Sequence, residues 1–279
     1  MPPYLKEPVN NGRYPLSPVY PSTNRPLSGK AFCTSHTDTY PAIDPATKSN
    51  HTGHYVLITG ASKGVGRATA LSFAKAGAAG IAIAARSDFG TLENDILSAA
   101  KAAGKAPPKV VKLQMDVMSY ESVEASAKTL EKEFGKLDIL INNAGYLGPF
   151  ELITDGDSLE WWRNYEINLR GVYWVSKAFL PLMLKGGEKT IVNVASAGAH
   201  GIGPGASGYQ GSKFVLLRFT EFLNGDYGER GLLSYAVHPC SAATELGLGM
   251  PERMHFSMFC CFLSIFKVSM IFGDGERKY

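Results

Sequence analysis

The stretch Tyr55-Val-Leu-Ile-Thr-Gly-Ala-Ser-Lys-Gly-Val-Gly66 joins a short apolar run directly to a loop that contains three glycines. The apolar run predicts a buried strand, and residues 67–76 predict a helix that Gly77 ends. Glycines at such a junction let the backbone turn tightly and approach a pyrophosphate, which the positive end of the helix stabilises. The spacing is GxxxGxG, and its place after the first strand favours a nucleotide-binding turn over an ordinary one.

Apolar runs and helical stretches alternate along the rest of the chain. The runs are continuous rather than alternating, which is typical of parallel strands buried on both faces. We therefore predict an α/β fold, a doubly wound, Rossmann-type parallel sheet in one domain. Further strands are expected at 81–85, 110–115, 137–141, 190–195 and 232–237, and further helices at 92–103, 120–134, 161–184 and 209–227.

Composition divides the 279 residues into three parts. Residues 1–54 hold nine of the 16 prolines and show no periodicity, which predicts an extended or surface-bound arm. Residues 55–250 form the predicted dinucleotide-binding domain. The net charge of +3 includes no run of like charge, which argues against a nucleic-acid partner.

Residues 251–279 form an unusual tail that is strongly apolar between 254 and 272. Three interpretations stay open: a lid with a core helix, a membrane anchor, or the aberrant end of a truncated relative. Lys267 and three serines weaken the membrane interpretation, and we favour the third. In that case the sheet lacks its final strand.

The cysteines and histidines show no metal-ligand spacing, so no metal is expected. The four cysteines also form no disulfide framework, and the N-terminus has no apolar signal segment. These features indicate a reducing compartment, and we predict a cytoplasmic location. The sequence leaves the oligomeric state open.

The end of the second predicted strand bears on the choice of cofactor. Dinucleotide folds place there an acid for the ribose hydroxyls or an arginine for a 2′-phosphate. This chain has Ala84-Ala-Arg-Ser87, in which no carboxylate ends the strand and Arg86 follows it directly. Lys63 in the glycine loop adds a second cation, so the pattern favours NADP(H) over NAD(H). Asp88 is the rival ribose ligand, and Arg86 as a solvated loop residue is the alternative.

Tyr209 and Lys213 are four residues apart and share one face of a predicted helix. An ammonium near a phenol stabilises the phenolate, which would make Tyr209 a usable general acid or base. The pair alone is weak evidence. Ser196, at the carboxyl end of the fifth predicted strand, could hydrogen-bond a substrate oxygen opposite the tyrosine.

These motifs together resemble the short-chain dehydrogenase/reductase family. The matching pieces follow one another in family order and span residues 55 to about 245: Thr59-Gly-Ala-Ser-Lys-Gly-Val-Gly66, Asp116-Val117, Asn142-Asn-Ala-Gly145, Asn168-Leu-Arg-Gly171, Ser196 and Tyr209-Gln-Gly-Ser-Lys213. The resemblance implies an oxidoreductase that interconverts a carbonyl and an alcohol of a small molecule, and Arg86 and Lys63 favour NADP(H) as its cofactor.

The resemblance also implies residue roles. Tyr209 would exchange the proton, Lys213 would lower the pKa of the tyrosine and hold the nicotinamide ribose, and Ser196 would orient the substrate oxygen. Asn168 would hold a water that links Lys213 to solvent. The remaining expected cofactor contacts are Gly60, Ser62, Lys63, Val65, Gly66, Arg86, Asp116, Asn143 and Thr244. Arg170 has either a cofactor contact or a surface role.

The segment after the sixth predicted strand departs from the family pattern. Pro239 and Thr244 fit, but Cys240 stands where relatives have glycine and Ala242 where they have valine. A glycine there lets the backbone lie close to the nicotinamide. A catalytically weak or inactive cofactor-binding relative is therefore the alternative function.

Overall fold

The computed structural model describes residues 39–239 and 244–250. Within them, six parallel strands form one sheet in the order β3-β2-β1-β4-β5-β6. The strands are β1 (Tyr55–Thr59), β2 (Gly80–Ala85), β3 (Lys109–Gln114), β4 (Ile139–Asn142), β5 (Thr190–Val194) and β6 (Leu233–Val237). This is the predicted doubly wound, Rossmann-type fold, and the strand order reverses between β1 and β4.

Helices cover both faces of the sheet, and the two largest apolar cores lie on opposite faces. One core lies between the sheet and the helices α2 and α3, and the other between the sheet and α4, α6 and α7. The helices are α1 (Pro45–Lys48), α2 (Gly64–Lys75), α3 (Leu92–Ala102), α4 (Tyr120–Phe134), α5 (Ser158–Tyr165), α6 (Val172–Met183), α7 (Ser207–Tyr227) and α8 (Glu245–Leu248).

Burial along the strands follows their position in the sheet. All residues of β2 and β4 are buried, which agrees with their continuous aliphatic sequence. In contrast, β3 lies at an edge and alternates buried with exposed side chains. Its lysines pair with helix carboxylates, Lys109 with Glu133 and Lys112 with Glu93.

The long helix predicted over residues 161–184 is instead interrupted. Helix α5 ends at Tyr165, a π-helical turn spans Glu166–Gly171, and α6 begins at Val172. Apolar periodicity misses this break, because the π-helical turn runs directly from α5 into α6 and shifts the register with no loop between them. Other boundaries differ by a few residues, and α2 begins at Gly64 rather than at residue 67.

Only the end of the predicted arm belongs to the described residues. There α1 forms a short helix, and the amide of His51 donates to Ala76 O at 2.9 Å. The predictions for residues 1–38, for Cys240 and Ala242 and for the tail 251–279 lie outside the described residues. Among the helices of residues 39–239 and 244–250, none combines the length and apolarity that a membrane crossing requires.

A buried carboxylate ties the amino ends of three strands together. Asp138, just before β4, is fully buried and accepts hydrogen bonds from the amides of Tyr55 at 2.9 Å and Gly187 at 2.7 Å. Lys136 Nζ lies 3.2 Å from its Oδ2. Burial opposes ionisation, but these hydrogen bonds and the ammonium outweigh it and lower the pKa of Asp138.

We expect Asp138→Asn to destabilise the fold by about 2 to 4 kcal/mol at pH 7, because the new amide places a donor against backbone donors. The pKa of Asp138 is lowered in the folded state. Its contribution is therefore present at neutral pH and is lost as the pH falls below about 4.

Urea unfolding from pH 7 down to pH 3 measures this contribution. Asp155→Asn, at an exposed carboxylate, is the matched control and should have little effect. An equal midpoint for Asp138→Asn and wild type at pH 7 would contradict the assignment.

Candidate active site

A cleft of about 850 Å³ opens at the carboxyl ends of the strands. Its walls come from the glycine loop, from the ends of β2 to β6 and from residues 244–250. Most of the predicted site residues line it: Gly60, Ser62, Lys63, Val65, Arg86, Asp116, Asn143, Ser196, Tyr209, Lys213 and Thr244. Gly66 and Asn168 lie behind its surface and are not part of the lining.

The glycine loop has a backbone that requires glycine. Gly60 and Gly64 have φ of 63° and 51°, in the left-handed region. A Cβ on Gly66 would lie 2.5 Å from Asn143 Nδ2 and closer still to the carbonyl oxygen of Gly60. Helix α2 begins at Gly64, so the amides of its first turn have no partner within the helix and face the region an anion would occupy.

Thr59 and Asn143 hold this loop to the end of β4. Thr59 Oγ1 accepts from the amides of Asn143 and Ala144, both at 3.0 Å. Asn143 Nδ2 donates to the carbonyls of Thr59 at 2.9 Å and Gly60 at 3.2 Å. The side-chain amide of Asn143 therefore supports the loop backbone. Sequence reasoning did not single out Thr59, although its position before the first glycine was a usable signal.

Two cations lie near the end of β2, as the sequence predicts. Arg86 is exposed at the strand end, beside a hydrogen bond of 2.9 Å between the hydroxyls of Ser62 and Ser87. Lys63 Nζ, however, forms an ion pair at 2.8 Å with Glu245, and both side chains are largely exposed.

Asp116 and Thr244 use their side chains to shape the cleft wall. Asp116 Oδ1 accepts from the amide of Met118 at 2.9 Å. Thr244 Oγ1 caps α8 by accepting from the amide of Gly247 at 3.1 Å, and its methyl group lies close to Gly64.

Ser196, Tyr209 and Lys213 meet at the other end of the cleft. Ser196 follows β5 and accepts from the amide of Gly198 at 3.0 Å, and its hydroxyl hydrogen-bonds Tyr209. Lys213 is 4% exposed and donates to Val194 O at 2.7 Å, with its Nζ 6.0 Å from the Tyr209 ring centroid.

Burial shifts both titratable groups of this cluster. Desolvation raises the pKa of Tyr209 and outweighs the lowering effect of the hydrogen bond with Ser196. Desolvation also lowers the pKa of Lys213 to about 8. In this arrangement Lys213 binds a backbone carbonyl, and the lowered tyrosine pKa expected from the sequence is not observed.

Asn168 lies in the π-helical turn and its side-chain amide is engaged. Its Oδ1 accepts from the amide of Tyr146 at 2.8 Å, and its Nδ2 donates to Tyr146 O at 2.9 Å and to Ser212 Oγ at 3.0 Å. Asn168 thus joins the loop after β4 to α7. Arg170, two residues on, pairs with Glu166 and stacks over Trp174, which agrees with the surface role.

His238, at the end of β6, is a buried residue of the cleft wall to which sequence reasoning gave no role. Its position directly after the strand predicted next to the one that ends at Ser196 could have indicated a place in the cleft wall. The described ranges contain no group of three or more His, Cys, Asp or Glu side chains that could hold a metal ion.

Comparison with known proteins agrees with this geometry. The family model described as short chain dehydrogenase matches residues 54–253. The chain belongs to the short-chain dehydrogenase family. Short chain dehydrogenase citE from Monascus ruber is 48% identical over 218 residues, which are 78% of this chain and 74% of that protein. Short chain dehydrogenase pigC from the same organism is 48% identical over 79% of this chain and 72% of that protein.

Solved structures of the family share the fold. The carveol dehydrogenase from Mycobacterium avium, in complex with NAD, has a TM-score of 0.63 and 23% identity, covering 71% of this chain and 74% of that one. A 3-ketoacyl-ACP reductase from Sinorhizobium meliloti has a TM-score of 0.59 and 29% identity, covering 67% and 72%.

We expect Gly66→Ala to destabilise the protein by about 2 kcal/mol or more. The new methyl group would meet the backbone carbonyl of Gly60 and the Asn143 side-chain amide, which is itself hydrogen-bonded to the backbone. Gly225→Ala is the matched control. Gly225 lies within α7, and nothing lies within 4 Å of its virtual Cβ. The control should gain about 0.5 to 1 kcal/mol from helix propensity. Thermal unfolding of both variants tests the contrast, and equal melting temperatures would contradict it.

Proposed function

We propose that this protein is an NADP(H)-dependent oxidoreductase that interconverts a small-molecule carbonyl and its alcohol. The observation that supports it most is that Ser196, Tyr209 and Lys213 line the same cleft as the glycine loop. When bound, the nicotinamide supplies or accepts the hydride. The protein contributes the positions of the reacting groups and a proton.

The residues of the cleft fit a dinucleotide. A Cβ on Gly66 would overlap the carbonyl oxygen of Gly60, so only glycine fits where the loop meets the first turn of α2. The amides of that turn can bind a pyrophosphate. The cleft joins this loop to the ends of β2 and β3 on one side and β5 and β6 on the other. Pyrophosphate on the α2 amides would therefore direct adenosine toward Arg86 and Asp116, and nicotinamide toward Tyr209.

Tyr209 is the proposed proton donor for carbonyl reduction. Its pKa is raised by burial, so the phenol holds its proton at neutral pH. The hydrogen bond between Ser196 and Tyr209 places two hydroxyl groups side by side, where both can bind one substrate oxygen. Proton transfer from Tyr209 Oη to that oxygen then accompanies hydride arrival at the carbon. Alcohol oxidation runs these steps in reverse.

Lys213 and Asn168 are proposed to support this proton transfer. With a pKa of about 8, Lys213 can hold or release a proton near neutral pH. Its ammonium would hold the nicotinamide ribose, as the resemblance implies. Asn168 fixes Tyr146 and Ser212 on two sides of the cluster and thereby holds α7 in place. A water linking Lys213 to solvent is part of the proposal.

The preference for NADP(H) is proposed from charge. The exposed guanidinium of Arg86 suits a 2′-phosphate, and the end of β2 offers no carboxylate to a ribose. Lys63 adds a cation once its exposed ion pair with Glu245 exchanges for phosphate. Substrate contacts are proposed for Tyr146, Leu147 and Leu246, which line the same cleft as Tyr209. A cytoplasmic location remains the prediction from the sequence.

We expect Tyr209→Phe to lower kcat/KM for ketone reduction about 1,000-fold, because it removes the proton donor without altering the fold. The dissociation constant for NADPH should stay within a few-fold of wild type. NADPH consumption with a panel of ketones gives the rates, and NADPH fluorescence gives the binding. Tyr227→Phe, at the far end of the same helix, should keep full activity. Undiminished turnover by Tyr209→Phe would overturn the mechanism.

We expect Arg86→Ala to weaken NADPH binding about tenfold and to change NADH binding less than twofold, because only NADPH presents the 2′-phosphate. Lys101→Ala, an exposed cation on α3, is the control and should affect neither cofactor. Titration of both cofactors at fixed ionic strength measures the difference. Equal losses for NADPH and NADH would refute the proposed preference.

A further inference from the structure

Glu245 brings a negative charge to the side of the cleft that holds Lys63 and Arg86. Its Oε2 lies 2.8 Å from Nζ of Lys63, although the two residues are 182 positions apart in the sequence. Both side chains are largely exposed, so the ion pair adds little to the stability of the fold. Because all three residues line the cleft, the carboxylate has its larger effect on what binds there.

The backbone around Glu245 keeps its carboxylate beside the glycine loop. Thr244 caps α8 by accepting from the amide of Gly247 at 3.1 Å. The methyl group of Thr244 also lies close to Gly64, the residue after Lys63. Glu245 therefore extends from a fixed turn, and its carboxylate has a high effective concentration at the ammonium of Lys63.

A hydrogen bond between two serines brings the two cations to one part of the cleft. The hydroxyls of Ser62 and Ser87 are 2.9 Å apart. Ser62 directly precedes Lys63 in the sequence, and Ser87 directly follows Arg86. A 2′-phosphate bound by both cations would therefore lie next to the carboxylate of Glu245, which already pairs with Lys63.

NADPH and NADH differ in the group that this carboxylate affects. At neutral pH a phosphate monoester carries a charge of about −1.5 to −2, whereas the ribose 2′-hydroxyl of NADH is neutral. NADPH must take Lys63 from Glu245 and then lie beside a like charge. NADH leaves the ion pair intact. The carboxylate therefore lowers the affinity for NADPH and leaves the affinity for NADH unchanged.

We propose that Glu245 is a specificity-determining residue whose carboxylate competes with the 2′-phosphate of NADPH for Lys63. This inference rests on the proposed function, because it takes the cleft as a nicotinamide dinucleotide site. The competition narrows the preference for NADPH that Arg86 and Lys63 create. Glu245 acts through Lys63 and has no role at the reacting atoms.

The first test compares Glu245→Gln with wild type. The amide keeps the size of the side chain and removes its charge. The dissociation constant for NADPH should fall about threefold to fivefold, which is the upper range for an exposed ion pair. The dissociation constant for NADH should change less than about 1.5-fold, because NADH does not displace Glu245. Fluorescence titration at fixed ionic strength measures both. Unchanged NADPH affinity, or equal gains for the two cofactors, would overturn the inference.

Glu131→Gln is the matched control. Glu131 forms an ion pair at 2.7 Å with Lys185, and both of these side chains are more than half exposed. Neither residue lines the cleft. The variant changes the net charge by the same amount as Glu245→Gln, so it should leave the affinity for both cofactors unchanged. A gain in NADPH affinity as large as that of Glu245→Gln would assign the effect to net charge and contradict the competition.

A double-mutant cycle tests whether Glu245 acts through the ammonium. Lys63→Ala should weaken NADPH binding several-fold. Adding Glu245→Gln to it should then strengthen NADPH binding less than about twofold, because the carboxylate has no cation left to withhold. The full threefold to fivefold gain in the absence of Lys63 would overturn the inference. Failure of wild type to bind either NADPH or NADH would instead overturn the proposed function, and the inference with it.

Discussion

The hydrogen bonds of Thr59 with Asn143 and Ala144 are the interaction on which the cleft depends. They join β1 to β4 at the point where the strand order reverses, and chain connections there depart to opposite faces of the sheet. A crevice opens at such a point because the connections leave it on both sides. Asn143 Nδ2 donates in return to the carbonyls of Thr59 and Gly60, and these bonds fix the backbone at the base of the crevice. The glycine loop is thus held by the neighbouring strand as well as by its own turn.

A second polar network extends from this point into the core. Asn142 Nδ2 donates to Asn193 Oδ1 at 2.8 Å, and Asn193 Nδ2 donates to Thr220 of α7 at 2.9 Å. These buried bonds link β4, β5 and α7, the elements around the Ser196, Tyr209 and Lys213 cluster. Buried side-chain hydrogen bonds between elements favour one packing arrangement over others, although Asn142 Oδ1 has no partner among the described residues. They give the helix that carries Tyr209 and Lys213 a defined register on the sheet.

Local signals in the sequence predicted most of the fold. Continuous aliphatic runs located the six strands to within two residues at each end, because burial on both faces leaves a strong pattern. The π-helical turn at Glu166–Gly171 was missed because it depends on contacts of Asn168 with Tyr146 and Ser212, which are distant in sequence. Tertiary contacts of that kind leave no periodic trace.

The candidate site shows the same division. Motif spacing predicted which residues line the cleft, but it did not predict their protonation. The phenol and ammonium of Tyr209 and Lys213 are shifted mainly by burial, which depends on every element packed around them. Neither ring nitrogen of His238 has a hydrogen-bond partner among the described residues, and this likewise depends on how the cleft wall is assembled. A lone histidine before a proline gives no such indication in the sequence.

The lysines of β3 affect how this chain can associate with other chains. An outer strand with free backbone groups is a template on which a second chain can add, and stacked strands of this kind lead to insoluble assemblies. Lys109 and Lys112 lie on that outer strand, each held by a helix carboxylate. An incoming strand would have to separate both ion pairs and bring its own side chains against the charges. The charged border thus acts as a barrier to misassembly while the chain is crowded with others during synthesis.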